Sequence, residues 1–169
     1  MRFGKTAWIC LLVLTLVIPL TVRAQTPAQS PVLAPAAEVI PETEIRQAID
    51  KYVDRFKAMD LDLFMESYSK QAVENREFPY SDIREAYGRM FKDTNQFLFY
   101  LNILGIQSFT NSAFVSGYCE ITQTTKSKNE MKLYRGNVQW ELVREDGVLR
   151  ILRLNHSKLL VQEKFWKNL

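Results

Sequence analysis

The spacing of apolar residues is helical through the first half of this chain and alternates strand-like after Asn95. Ile45, Ile49, Tyr52, Val53 and Phe56 recur at steps of three and four, which puts them on one face of a helix over Glu42–Ala58. Arg46, Lys51, Asp54, Arg55 and Lys57 take the other face. Asp60 is placed to cap a second helix over Leu61–Ser69, whose inner face is Leu63, Phe64 and Tyr68. Gln71–Tyr80 has no clear period and reads as irregular. Ser81 then stands as the cap of a third helix, with Asp82 and Glu85 near the positive end of its dipole. Ile83, Ala86, Tyr87, Met90 and Phe91 form the apolar stripe of that helix.

Four strands follow. Phe97–Ser108 is rich in Phe, Tyr, Leu and Ile, and Asn111-Ser112 makes a turn. Ala113–Thr124 alternates, with Ala113, Val115, Gly117, Cys119 and Ile121 on one face. Phe114, Ser116, Tyr118, Glu120 and Thr122 take the other. The polar loop at Lys126–Asn129 leads into a long strand, Met131–Arg144. Asp146-Gly147 is a tight-turn dipeptide, and Val148–His156 completes the sheet. Helices followed by antiparallel strands predict an α+β fold: about four strands packed against three N-terminal helices.

The ends of the chain differ from this middle. Arg2 and Lys5 precede the apolar run Ala7–Leu20, and Val22-Arg23-Ala24 carries small residues at the positions a signal peptidase reads. The expectation is a signal peptide over residues 1–24, cleaved near Ala24/Gln25, and a periplasmic or secreted product. The apolar run is short for a membrane span of about 20 residues. Residues 25–41 hold Pro27, Pro31, Pro35 and Pro41 among Ala, Gln and Ser, and read as an extended linker. Residues 158–169 form an amphipathic tail with Leu159, Leu160, Phe165 and Trp166, expected to pack on its own domain, with a membrane surface or a dimer interface as alternatives.

Cleavage changes the charge. Arg2, Lys5 and Arg23 are three of the 22 basic residues, so 19 basic residues would face 19 acidic ones. A neutral product builds no field for nucleic acid, and no nucleic-acid partner is expected. Cys119 would be the one remaining cysteine, read as a core thiol in a strand.

Two phrases resemble the nuclear transport factor 2-like superfamily, also called the SnoaL-like or ketosteroid-isomerase-like cone fold. The first is Ala58–Ser69, an acidic break before an apolar helix that ends in Tyr-Ser. The second is the closing hairpin, Val138–Leu142 followed by Asp146–Ile151. The resemblance spans residues 42–157 and implies a cone-shaped bent sheet cupped around helices. Within the superfamily the chain is most similar to the accessory domains appended to some bacterial L,D-transpeptidases, which implies dimerisation or interaction rather than catalysis. It departs from the pattern at Leu149, where the last strand usually opens with Trp. The segment between the second and third helices is short, which implies a missing edge at the pocket mouth. No transpeptidase domain is present.

Enzymes of this superfamily use a carboxylate or a His–Asp pair in the cone, often with a tyrosine donor. The candidates here are Glu120 and His156, and the wider pocket set is Tyr118, Glu120, Gln139 and Glu141. Tyr118 and Glu120 share one strand face, and so do Gln139 and Glu141. The plainer reading is the stronger for each: Glu120 and Glu141 as solvent-facing strand residues, Tyr118 as packing, and His156, at a polar strand end beside Asn155 and Ser157, as a surface or structural histidine. HExxH, CxxC, GxSxG and a glycine-rich phosphate loop are all missing, so no metal and no cofactor are expected. The leading expectation is a non-catalytic dimerisation or binding module in the cell envelope, a homodimer with an envelope protein or a small apolar ligand as partner. The alternatives are a small isomerase, dehydratase or cyclase acting on an apolar substrate, and a lipid-like ligand carrier. One geometric fact separates them: whether Glu120 or His156 points into an apolar pocket beside a tyrosine hydroxyl.

Overall fold

A computed structural model describes residues 39–128, 130–157 and 162–164. The signal segment, nearly all of the linker and most of the C-terminal tail lie outside the described residues. Among the described residues no helix is long and apolar enough to cross a membrane.

Helix α1 spans Glu42–Ala58 and buries Ile45, Ile49, Tyr52 and Phe56, the stripe its period predicts. Glu42 and Glu44 stand in its first turn and Arg55 and Lys57 in its last, as the helix dipole favours. It stops at Met59, which takes a left-handed backbone with φ 56°. Arg144 grips Glu44 with two nitrogens at 2.7 and 2.8 Å and ties the start of α1 to the sheet. Helix α2 is short, Leu61–Met65, and Asp60 caps it by accepting from the Leu63 amide at 3.1 Å.

The expected helix to Ser69 ends early because the chain finds a strand partner. Strand β1, Tyr68–Glu74, pairs in parallel with the last long strand at Tyr68–Ile151 and Glu74–Leu154. Strand β2 is only Phe78–Pro79 and runs antiparallel to β1. The segment read as irregular therefore carries two strands. Helix α3 runs Tyr80–Lys92. Its cap is Pro79 rather than Ser81; proline presets an entering φ of −71°. Ser81 lies inside the first turn and donates to the Asp82 carboxylate at 3.0 Å.

Strands β3 (Thr94–Ser108), β4 (Ser112–Thr125), β5 (Met131–Glu145) and β6 (Val148–His156) form the antiparallel meander expected. Asp146 (φ 50°) and Gly147 (φ 79°) make the two-residue turn between β5 and β6. A short β7, Gln162–Lys164, pairs with the start of β5. The sheet order is β2-β1-β6-β5-β4-β3, with β7 off this path. The α+β architecture is as expected, and the described sheet has seven strands instead of about four, with one parallel pairing.

Register breaks in β3, between Thr94/Gln96 and Ile103/Gly105, and between Glu141 and Leu142 where β5 meets β6, bend the strands. The helices fill the inner face. Tyr52 is the hub, with ring centroids 5.3 Å from Phe64, 6.2 Å from Tyr68 and 6.1 Å from Trp140. Val115, Val138, Trp140, Leu142 and Leu154 are among the buried sheet residues of this core. Burying an aromatic side chain of this kind stabilises a fold by about 1.5–3 kcal/mol.

Candidate functional site: a carboxylate–histidine pair on an aromatic cavity

Glu74 ends β1, where the chain must turn sharply into β2. Asn75 and Arg76 both take positive φ, 50° and 65°, to make that turn. Asn75 adopts this geometry at lower steric cost than most side chains. The turn is pinned to β6 from two sides: the Asn75 amide donates to the Leu154 carbonyl at 2.8 Å, and the His156 amide donates to Asn75 Oδ1 at 2.9 Å. The last residue of β6 is thereby set beside the last residue of β1.

His156 Nε2 lies 2.9 Å from Glu74 Oε1. Asn75 Nδ2 stands 3.0 Å from the same ring nitrogen, and its amide orientation is set by the backbone bond to Oδ1. With the proton on Nε2 donated to Glu74, the Asn75 amide nitrogen is a close neighbour of the ring and not its hydrogen-bond partner. His156 Nδ1 faces the Ser157 carbonyl at 3.4 Å. The hydrogen bond that His156 donates to Glu74 raises the proton affinity of His156 above its ordinary value; burial opposes this, and the Glu74 charge and the Ser157 carbonyl add to it. The pair is thus an imidazolium–carboxylate ion pair over a wider pH range than a free histidine allows.

Tyr87, on α3, donates to the same Glu74 oxygen at 3.4 Å. Glu74 Oε2 is buried without a hydrogen-bond partner. Few buried carboxylate oxygens are left so. The Tyr68 hydroxyl and the Trp140 indole nitrogen are buried and unpartnered in the same core. Burial pushes the phenols of Tyr52, Tyr68 and Tyr87 well up, so all three remain protonated donors at neutral pH.

Glu74, Tyr87 and His156 line a cavity of about 240 Å³. Its other walls are apolar: Tyr52 and Phe56 from α1, Met90 from α3, Phe97 and Phe99 from β3, Ile121 from β4, and Val138 and Trp140 from β5. Cys119 lines it too, as a buried free thiol whose pKa is raised by burial, which is not the state of an activated nucleophile. Among the described residues no group of three or more His, Cys, Asp or Glu is placed to hold a metal ion.

The residues picked from the sequence fall in two places. His156 is on the cavity. Tyr118 and Glu120 are on the β4 face opposite Cys119, half-buried, with the Tyr118 hydroxyl donating to Glu120 Oε1 at 3.3 Å. Gln139 and Glu141 share that outer face and line a separate groove with Phe114, Ser116 and Asn155. Glu141 there takes Arg153 at 2.5 Å. The structure does not bring Tyr118, Glu120 or Glu141 to His156, and Gln139 meets it only in an open polar groove with Asn75, Asn137 and Asn155 outside the aromatic cavity. It brings Glu74, Asn75, Tyr87 and Tyr52, none of which stood out in the sequence. The short segment between α2 and α3, read as a missing edge, is the one that delivers Glu74. A faint signal was available: Asn75 follows Val73-Glu74, and asparagine after a short apolar-acidic run suits a strand ending in a left-handed turn.

No protein-family model matches the chain, and no curated protein matches it in sequence. Solved structures do. A nuclear transport factor 2-like superfamily protein from Salmonella enterica superposes with a TM-score of 0.60 at 18% identity, covering 75% of this chain and 96% of its own. A ketosteroid isomerase-like protein from Erwinia carotovora atroseptica gives 0.59 at 21%, covering 69% and 94%. A hexachlorocyclohexane dehydrochlorinase from Novosphingobium barchaimii gives 0.59 at 12%, covering 75% and 92%. At such identities the likeness speaks of architecture, and it agrees with the bent sheet and the three helices: the chain has the nuclear transport factor 2-like cone fold.

Proposed function

We propose that the cone is a proton-transfer site acting on a small apolar substrate, with Glu74 as the proton acceptor and His156 as the group that holds and charges it. The observation that carries this reading is the Glu74–His156 pair at 2.9 Å on the wall of an otherwise apolar cavity. A general base needs a desolvated position and a partner that orients it, and Glu74 has both. His156 Nε2 is committed to Glu74 and Nδ1 to the Ser157 side, which leaves Glu74 Oε2 as the atom of the pair without a hydrogen-bond partner.

The chemistry is a two-step transfer. Glu74 takes a proton from a carbon next to an electron-withdrawing group, and the bonding electrons move onto that group. The proton then returns at another carbon, giving isomerisation, or a leaving group departs with the electron pair, giving elimination. Tyr52, a protonated phenol in the cavity lining, is the donor for the charge that develops. Dehydrochlorinase and ketosteroid isomerase-like neighbours are in keeping with this class of reaction. The test is hydrogen–deuterium exchange and turnover across a set of small cyclic ketones, alcohols and halides. Glu74→Gln and His156→Gln are expected to lose the activity found; wild-type rates in both variants would overturn the assignment.

A second reading, the non-catalytic dimerisation module, is favoured by a different observation. Leu98, Tyr100, Leu104 and Phe114 are exposed apolar residues on β3 and β4, with Leu98, Tyr100 and Phe114 on the face away from the cavity. Exposed apolar groups that lie close together mark interaction surfaces. Sedimentation showing a monomer at high concentration would remove this reading. The proposed location, periplasmic or secreted, is supported by the composition of residues 1–24; fractionation and N-terminal sequencing of the exported chain test it.

A further inference from the structure

We infer that the ligand of the cone is a neutral molecule built on one ring, of about ten heavy atoms, carrying its polar group at the Glu74 end. The inference rests on the proton-transfer reading for the role of Glu74, and on the cavity alone for size and charge.

Size comes first. An apolar cavity of about 150 Å³ in a protein core is enough to hold one benzene molecule. The cavity here is about 240 Å³, room for a six-membered ring with a few substituents, about ten heavy atoms by the same ratio. It lies below the roughly 300–1,000 Å³ typical of drug-sized ligands. A fused tetracycle or a long acyl chain does not fit whole within this volume and would have to stand partly outside the mouth or displace the walls. Those walls resist displacement, because Phe56 stacks against Phe97 at 4.6 Å and Phe99 at 5.2 Å, and Tyr52 is wedged between Phe64 and Trp140.

Shape and charge follow. Tyr52, Phe56, Phe97, Phe99 and Trp140 surround the space with ring faces and edges, which pack best on another planar or near-planar ring. The groups of the lining that could face a ligand's charge, Glu74 and His156, are already paired with one another at 2.9 Å. A ligand carboxylate or ammonium would enter an apolar space with its charge uncompensated, so a neutral ligand is selected. At the one polar end stand Glu74, Tyr87 and His156, with the Glu74 Oε2 lone pairs unused. A hydroxyl, or a carbonyl with an acidic neighbouring C–H, is the group that suits this end. Apart from Tyr52, Cys119 and Tyr134, the remaining lining is hydrocarbon and aromatic.

The experiment is calorimetric and ligand-observed NMR titration of the full chain against a graded panel: 4-methylphenol, cyclohexenone, 2-naphthol, benzoate, benzylammonium and a tetracyclic steroid ketone. The neutral one-ring compounds are expected to bind, the two charged one-ring compounds at least tenfold more weakly, and the steroid not detectably. Ile121→Trp, which fills the cavity from β4, is expected to abolish one-ring binding. The panel on the unaltered chain decides the matter if that variant does not fold. Steroid binding as tight as that of the one-ring compounds, equal binding of benzoate, or no one-ring binding at millimolar concentration would each overturn the inference. Glu74→Gln separates it from the proton-transfer reading. Ring binding without any Glu74-dependent exchange sinks the reaction and leaves the ligand class standing. Glu74-dependent turnover of a larger or charged substrate does the reverse.

Discussion

Glu74 and Glu120 are both strand carboxylates with a tyrosine hydroxyl within reach, and they live in opposite worlds. Glu120 sits on the outer face of β4, beside Tyr118 at 3.3 Å, half-open to water and opposite Arg135 in the strand register. Glu74 sits at the end of β1, 9% exposed, held by His156 and Tyr87 against an aromatic cavity. Residue type and local partner are nearly the same. The difference is which side of the sheet each faces and how much water reaches it. A carboxylate in water is held by its solvation; one shut away from water needs a partner, and Glu74 has His156. Chemistry therefore follows the face, and the same comparison separates Val138 and Trp140 from Gln139 and Glu141 on β5.

The sharpest way to break the comparison is to neutralise each carboxylate. Glu74→Gln is expected to lower turnover by about 10²–10⁴-fold, the usual weight of a general base, measured as kcat/KM on the best substrate of the screen. Glu120→Gln is expected to change it less than about twofold. Equal losses would erase the distinction between the faces.

The next effect is on stability. Trp140→Ala empties the centre of the core and is expected to cost about 3–5 kcal/mol in urea unfolding. Gln139→Ala, one residue away on the outer face, is expected to stay within about 0.5 kcal/mol. A smaller loss arises at Gly117, where an added Cβ would stand 3.0 Å from the Asn102 carbonyl and 3.3 Å from the Trp140 ring. Gly117→Ala is expected to destabilise by about 1–3 kcal/mol, read by the same unfolding curves.

The smallest effect is a pH dependence. His156 has a native proton affinity raised by Glu74 above the ordinary value of about 6.5. A raised native value means that the stabilising pair is fully present below the unfolded value and is lost as pH rises through the native one. Unfolding free energy is expected to fall as pH rises above about 6.5, and Glu74→Gln should flatten that slope. Glu120→Gln should leave it in place.

Much of this fold was legible along the chain. The stripes of α1 and α3, the Asp60 cap, the Asp146-Gly147 turn and the alternation of β4 are all local patterns, set by residues within a turn or two of each other. The ends of α2 and α3 were less so. Tyr68-Ser69 continues a helical pattern, and only pairing with Ile151 across the sheet turns it into a strand. The candidate site was half legible. His156 stood out because histidine is rare here, while Glu74 is one of 19 acidic residues with no spacing to mark it.

Periodicity, caps and turn dipeptides decided the element types, the α+β order and the two faces of each strand, because these depend on neighbours in sequence. They also made Tyr118–Glu120 and Gln139–Glu141 same-face pairs without saying whether that face was wet or dry. Tertiary structure alone decided that the face bearing Cys119, Val138 and Trp140 is the inner one. It alone joined Glu74 to His156, since that contact requires a parallel strand pairing between segments 82 residues apart, and such pairing is set by the burial of the whole sheet rather than by any local preference.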